Sequence, residues 1–330
     1  MNLKNEFNTI PQLLRNVVAN IHSPEHTFLI HKPKDKWEEI TYQQTLDTAD
    51  AVSAYLLAMG IQKGDRLGFI IENSPQYIFY DQGLQQIGAV NVSIYPTLSE
   101  SDMEYILNDA GVKTVLIGNP FLLKKVSKIA NNCPALQRLI PVFGDYKKHI
   151  DNINLNAGVI DFESLVQEGL KCLSEYRVRI DIAREAVIPS DLSSLIYTSG
   201  TTGIPKGVML SHDNFVKNVK CSLEQIPVVT KDDTFLSFLP LSHVFERTAT
   251  YYVCCTAGCK IAFSQSLELL ARNMEEIKPT VMSCVPRLLE RIHDKAIKSG
   301  TNAGGTKAKI FLWALDTGKR YREVFESGKQ

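Results

Sequence analysis

Short apolar runs alternate with helical patterns along the first half of the chain, and that alternation restricts the fold more than any other feature. Arg66–Ile71, Ala89–Ile94, Val112–Ile117 and Leu139–Phe143 have the length and composition of strands. Between them, Ser74 precedes a helical pattern to about Ile87, a second runs from about Glu100 to Ala110, and a third ends near Ala130. Units of strand then helix need crossover connections. They build a mostly parallel sheet covered by helices on both faces.

Upstream, 8–21 reads as a helix with Ile10, Leu13, Leu14, Val17 and Val18 on one face. That face is expected to pack on the body of the protein, with peripheral membrane contact as the other option. His26–His31 and Trp37–Tyr42 read as paired strands, and Thr41 with Gln44 forms a capping box for a long helix ended by Gly60. A helix from Phe162 to about Tyr176 leads into a linker near 179–190, where the boundary between two α/β subdomains, 1–185 and 186–330, is expected. In the second half, Ser211 and Asn214 start a helix to about Gln225, and strands are expected at Thr234–Phe238, Lys260–Phe263 and Thr280–Cys284. Ser242 is expected to cap a helix ended by Gly258, Glu268–Ile277 to be helical, and Pro286 to open a helix to about Ser299. A last helix runs from about Lys307.

Lys plus Arg and Asp plus Glu each number 36, so nothing in the charge calls for nucleic acid or an anionic surface. The seven cysteines show no paired C-x-x-C spacing, and Cys254, Cys255 and Cys259 lie in apolar sequence, as buried reduced thiols do. With no apolar run of membrane-spanning length and an N-terminus that meets Lys4 and Glu6 early, a cytoplasmic location is expected. The histidines show no ligand-like spacing, and no G-x-S-x-G elbow surrounds Ser211 or Ser242.

One stretch carries chemistry: Thr198-Ser199-Gly200-Thr201-Thr202-Gly203-Ile204-Pro205-Lys206-Gly207, set between the apolar runs Leu192–Tyr197 and Val208–Leu210. Glycines without Cβ atoms let backbone N–H groups approach phosphate oxygens, hydroxyls add donors, and Lys206 adds a mobile charge. A threonine can also ligate magnesium. The spacing is not that of a P-loop: five residues on from Gly200 stands Pro205, and Gly207 follows the lysine. Composition alone also suits an ordinary hairpin connection. The whole string, however, resembles residue for residue the phosphate-loop signature of the adenylate-forming enzymes, which include acyl-CoA synthetases and peptide-synthetase adenylation domains.

Further blocks resemble the long-chain acyl-CoA synthetase branch. Leu239-Pro240-Leu241-Ser242-His243-Val244-Phe245-Glu246-Arg247 lies where a strand hands over to a helix, and Val285-Pro286-Arg287 follows another strand. Taken alone, these are a capped helix start and a proline-started helix with solvated charges. Gly64-Asp65-Arg66 to Asn73 and Gly88-Ala89-Val90 to Thr97 match more weakly.

The resemblance implies ATP-dependent conversion of a long-chain fatty acid to acyl-AMP and pyrophosphate, then thioester formation with CoA, with ATP, Mg2+ and CoA as cofactors. It implies Thr198, Ser199, Gly200, Thr201, Thr202, Gly203 and Lys206 at the nucleotide, with Thr201 on the metal. Lys206, Thr201 and His243 take the catalytic positions, and His243, Phe245, Glu246, Arg247 and Arg287 the substrate positions. The family's Tyr-Gly-x-Thr-Glu motif, ribose-binding aspartate and C-terminal catalytic lysine have no counterpart in the 330 residues. An N-terminal piece of such a ligase, inactive by itself, is therefore expected. Two alternatives stand beside it: a ligase with another acceptor, such as a fatty acyl-AMP ligase or peptide-synthetase-type domain, and a non-catalytic nucleotide-binding module. Ile310, Phe311, Leu312, Leu315, Tyr321, Val324 and Phe325 give the last helix more apolar surface than an edge helix needs, so self-association is expected.

Overall fold

The computed structural model describes residues 7–150, 155–199 and 205–326. The chain forms two compact units, which meet between Ser283 and Cys284.

The first unit holds two sheets. The larger is built from β3 (Arg66–Ile70), β4 (Val90–Ser93), β5 (Thr114–Ile117), β6 (Arg138–Pro141), β7 (Gly158–Val159), β8 (Leu192–Ser199) and β9 (Pro205–Ser211). Its order is β7-β6-β5-β3-β4-β8-β9, and every pairing is parallel except β8 with β9. The smaller sheet runs β10 (Thr234–Ser237), β11 (Lys260–Phe263), β1 (Thr27–His31), β2 (Glu38–Thr41), antiparallel only at its β1–β2 edge. The expected α/β class with mostly parallel sheets is what the chain forms.

Both faces of the larger sheet are covered, as its continuous apolar strands require. Leu67, Phe69, Leu116 and Ile140 face a core shared with α2 (Tyr42–Ala58), α3 (Pro75–Gln85) and α6 (Phe162–Glu185). Ile70, Val115, Ile117 and Leu139 face the opposite core with α4 (Glu100–Asp109) and α5 (Pro120–Ile129). This is the period-2 alternation of a strand. Helix α1 (Ile10–Asn20) buries Ile10, Leu13, Leu14 and Val17 in the first of these cores, so its apolar face packs on the body.

Several helix ends follow from the sequence. Thr41 Oγ1 accepts from Gln44 N while Gln44 Oε1 accepts from Thr41 N, the reciprocal bonds of a capping box. Ser211 does the same for α7 (His212–Gln225) with Asn214. Gly258 ends the next helical stretch at φ +81°, a conformation that costs glycine little. Ser74 holds the N-cap position of α3, but its side chain makes no capping bond.

Four expectations need correction. Both sheets take strands from either side of residue 185, so they do not divide at the expected boundary. Helix α6 continues to Glu185 where a linker was read. Two arginines hold this second half of the helix: Arg177 donates to Asp50 on α2, and Arg184 donates to Gln86 Oε1, just past α3, at 3.2 Å. Thr280–Cys284 is not a strand. Only Val281 bridges to Phe235 beside β10, with Thr280 N donating to Thr234 O. Finally, His243 rather than Ser242 is the N-cap of the helix after β10, because His243 N closes a turn onto Pro240 O and delays the helix start.

Helix α10 (Leu270–Ile277) lies within the expected 268–277 helix, and the second unit consists of α11 (Pro286–Asn302) and α12 (Gly305–Glu326). Pro286 takes the first helical position as expected. Ile310, Leu312, Trp313, Tyr321 and Phe325 are exposed. Among the described residues no helix is long and apolar enough to cross a membrane.

Candidate active site

Loops that follow four strands converge on one cleft of about 370 Å³. Ile71, Glu72 and Asn73 follow β3, and Tyr95, Pro96 and Thr97 follow β4; Phe238, Pro240 and Ser242 follow β10, and Ser264–Leu267 follow β11. All four loops leave the carboxyl ends of their strands. The run β4-β3-β5-β6-β7 has the order of a flavodoxin-like sheet, whose ligand sites gather at that edge.

Beside it lies the β8–β9 hairpin. Thr198 is paired with Lys206 and Ser199 with Pro205, so the glycine-rich stretch connects the two strands at its tip. Because β8 runs parallel to β4, that tip belongs to the same carboxyl edge as the cleft. Thr198 and Lys206 are exposed. Gly200, Thr201, Thr202, Gly203 and Ile204 lie outside the described residues, as does the side chain of Ser199. The base of the hairpin is fixed from below: Tyr197 OH donates to Asp109 Oδ2 at 2.5 Å. Gly207 faces that ring, and a Cβ there would stand 3.1 Å from Tyr197 Cζ. Among the described residues neither the exposed Thr198 hydroxyl nor the exposed Lys206 ammonium has an internal partner, which suits them to a polyanion.

The loop after β10 is held by Asn73. Its Nδ2 donates to Leu239 O at 2.6 Å and to Ser237 Oγ at 2.9 Å, and its Oδ1 accepts from Leu241 N at 2.8 Å. Tyr77 OH adds a bond to Leu241 O at 3.1 Å. His243, at the end of this loop, is exposed, and its Nδ1 accepts from Phe245 N at 3.1 Å, which leaves Nε2 outward. Phe245 is also exposed. Ser242 lines the cleft, yet its buried hydroxyl has no hydrogen-bond partner among the described residues.

Glu246 and Arg247 go inward. α8 (Val244–Glu246), a π-helical turn (Arg247–Tyr252) and α9 (Val253–Ala257) form one helical stretch ending at Gly258. Glu246 is 1% exposed. Its Oε1 accepts from Ser237 Oγ at 2.6 Å, while Oε2 has no hydrogen-bond partner of ordinary geometry among the described residues; the nearby Thr250 hydroxyl donates to Ser283. Burial pushes its pKa up to about 7, with Ser237, Thr250 and the Phe238 backbone pulling the other way.

Arg247 is fully buried. Its Nη2 donates to Asp81 Oδ1 at 3.0 Å, Nη1 to Ser194 Oγ at 2.7 Å and Nε to Tyr252 OH at 3.0 Å. Burial alone would disfavour the guanidinium, but Tyr252, Tyr77 and Asp81 more than offset this and raise its pKa. The geometry therefore gives Arg247 a partner in the core where a substrate contact was expected. Arg287 is exposed, in the second unit.

A family model described as AMP-binding enzyme matches residues 18–319, which is most of the chain. The chain belongs to the AMP-binding enzyme family. It is 30% identical over 284 residues to fatty acyl-CoA synthetase A of Dictyostelium discoideum, covering 86% of this chain and 41% of that protein. It is 31% identical over 307 residues to long-chain-fatty-acid–CoA ligase 5 of Rattus norvegicus, covering 89% of this chain and 42% of that protein. Among solved structures it resembles the adenylation domain of a carboxylate reductase from Mycobacterium chelonae, with a TM-score of 0.77 at 18% identity, over 94% of this chain and 51% of that one. The chain thus spans about two fifths of the length of these two curated relatives.

Some of the site was not singled out from the sequence. Asn73 stood only in a weak block, and its clip spans two sheets, which no local pattern reveals. Asp81 and its partners Tyr251 and Tyr252, 3.1 Å from Oδ2, were also missed. A lone acid in the middle of an otherwise uncharged helix was the available signal.

Proposed function

We propose that the protein activates a long-chain fatty acid with ATP, forming acyl-AMP and pyrophosphate, and passes the acyl group to CoA in the cytoplasm. The observation that carries this reading is the hydroxyl- and glycine-rich connection between β8 and β9, set at the carboxyl edge that also bears the cleft. The family match and the two relatives named as fatty-acid–CoA ligases support it.

A carboxylate at neutral pH is a poor electrophile, and adenylation turns one of its oxygens into part of a good leaving group. In that same step the carboxylate oxygen bonds to the α-phosphorus as its bond to pyrophosphate breaks, and negative charge grows on the departing pyrophosphate. Thr198, Lys206 and the backbone amides of the glycine-rich tip would hold the phosphates, and Lys206 would offset that charge. Magnesium, with Thr201 as ligand, would supply further charge stabilisation. His243, capped in place with Nε2 outward, is assigned to the carboxylate, and exposed Phe245 to the acyl chain. In this reading Glu246 and Arg247 support the loop from behind instead of touching substrate.

Trapping with hydroxylamine tests the first step, because acyl-AMP yields a hydroxamate. The protein encoded by the uninterrupted gene should form it from hexadecanoate far faster than from acetate, and CoA should replace hydroxylamine as acceptor. Hydroxamate without CoA consumption would favour an acyl-AMP ligase. No hydroxamate from any carboxylate would favour a nucleotide-binding module. Light scattering at high concentration tests whether the exposed apolar side chains of α12 make the chain self-associate.

A further inference from the structure

We propose that Asn73, backed by Ser237 and Glu246, is the positioning residue that fixes the Phe238–His243 loop against the cleft and thereby sets how a carboxylate substrate is seated. The seating part rests on the proposed function; the fixing of the loop does not.

Asn73 leaves the end of β3 in the larger sheet, and Leu239–Leu241 leave the end of β10 in the smaller one. One amide group spans the gap. Both hydrogens of Nδ2 and one lone pair of Oδ1 are used, two of the three bonds by loop backbone. These loop groups lie outside any strand ladder or helix, and the Asn73 amide satisfies them. The third bond orients the amide. Ser237 Oγ donates to Glu246 Oε1 at 2.6 Å, so its lone pairs face Asn73 and require a donor there. A flipped amide would set Oδ1 against the Leu239 carbonyl and Nδ2 against the Leu241 amide. The chain Asn73–Ser237–Glu246 thus permits one orientation, and His243 follows two residues after the last clipped amide. Asn73 itself lines the cleft, so the clip and the substrate space share a wall.

Amide hydrogen exchange reads the clip directly and needs no activity. In the full protein, Asn73→Ala is expected to speed exchange of the Leu241 amide at least about tenfold while leaving α3 unchanged. Glu246→Gln keeps an oxygen facing Ser237 and should leave the Leu241 amide protected. Unchanged exchange at Leu241, or equal acceleration throughout α3, would overturn the clip.

Kinetics reads the seating. Asn73→Asp, nearly isosteric, should raise KM for the fatty acid about tenfold and leave KM for ATP within about twofold. A parallel rise in both would overturn the positioning role. Absence of activity in the unsubstituted protein overturns the functional reading and with it the seating, while the exchange result still decides the clip.

Discussion

Arg247 and Asp81 form an ion pair, Nη2 to Oδ1 at 3.0 Å, with neither side chain exposed to solvent. Asp81 stands on α3 and Arg247 opens the π-helical turn, so the pair fastens the helix behind β4 to the helical stretch that follows the cleft loop. Asn91, Gln85, Tyr251 and Tyr252 supply the remaining donors to the carboxylate. Removing one charge strands the other in the core. Asp81→Asn or Arg247→Leu is expected to cost about 3–5 kcal/mol in urea unfolding, and the double replacement less than the sum of the two. Additive losses would contradict a coupled pair.

Two buried groups should give opposite pH slopes. His212 is fully buried, its Nδ1 accepting from Ile10 N at 3.2 Å, and burial pushes its pKa down to about 4 from 6.5. Because the folded state disfavours its proton, stability is whole above pH 6.5 and falls as pH drops towards 4. Glu246, raised to about 7 from 4.5, does the reverse: stability is whole below pH 4.5 and falls as pH rises towards 7. Each window is worth roughly 3 kcal/mol, and they overlap. Glu246→Gln should therefore gain on the unsubstituted protein as pH rises from 4.5 to 7. His212→Asn should gain on it as pH falls from 6.5 to 4. Unfolding free energies at a series of pH values check both signs.

Gly169 marks a close approach of α6 to the α2 backbone. A Cβ placed there would stand 2.0 Å from the Ala51 carbonyl oxygen, which is backbone and cannot swing aside. Gly169→Ala, helpful in an exposed helix, should instead lower stability by about 1–3 kcal/mol as the helices part. A gain measured by thermal unfolding would mean that the two helices are not packed this way.

The fold was legible where local rules decide it. Alternating runs located β3 to β6, and the Thr41–Gln44 and Ser211–Asn214 patterns set helix starts that the structure keeps. It was illegible where a distant partner decides. The second half of α6 read as a linker because Asp50 and Gln86, which receive its Arg177 and Arg184, lie far away in sequence. Glu246 and Arg247 read as surface or substrate charges for the same reason: Ser237 and Asp81 are brought to them only by the sheets. Thr198, Lys206 and His243 were singled out through the family resemblance of their motifs, and the structure leaves each of them exposed.

ATP–pyrophosphate exchange driven by a fatty acid tests the account most directly. It should be measured on the protein from the uninterrupted gene, with the 330-residue chain alongside. The account predicts exchange in the gene product, much stronger with hexadecanoate than with acetate and reduced about a hundredfold by Lys206→Ala. No exchange with any carboxylate, or exchange indifferent to Lys206, would contradict it.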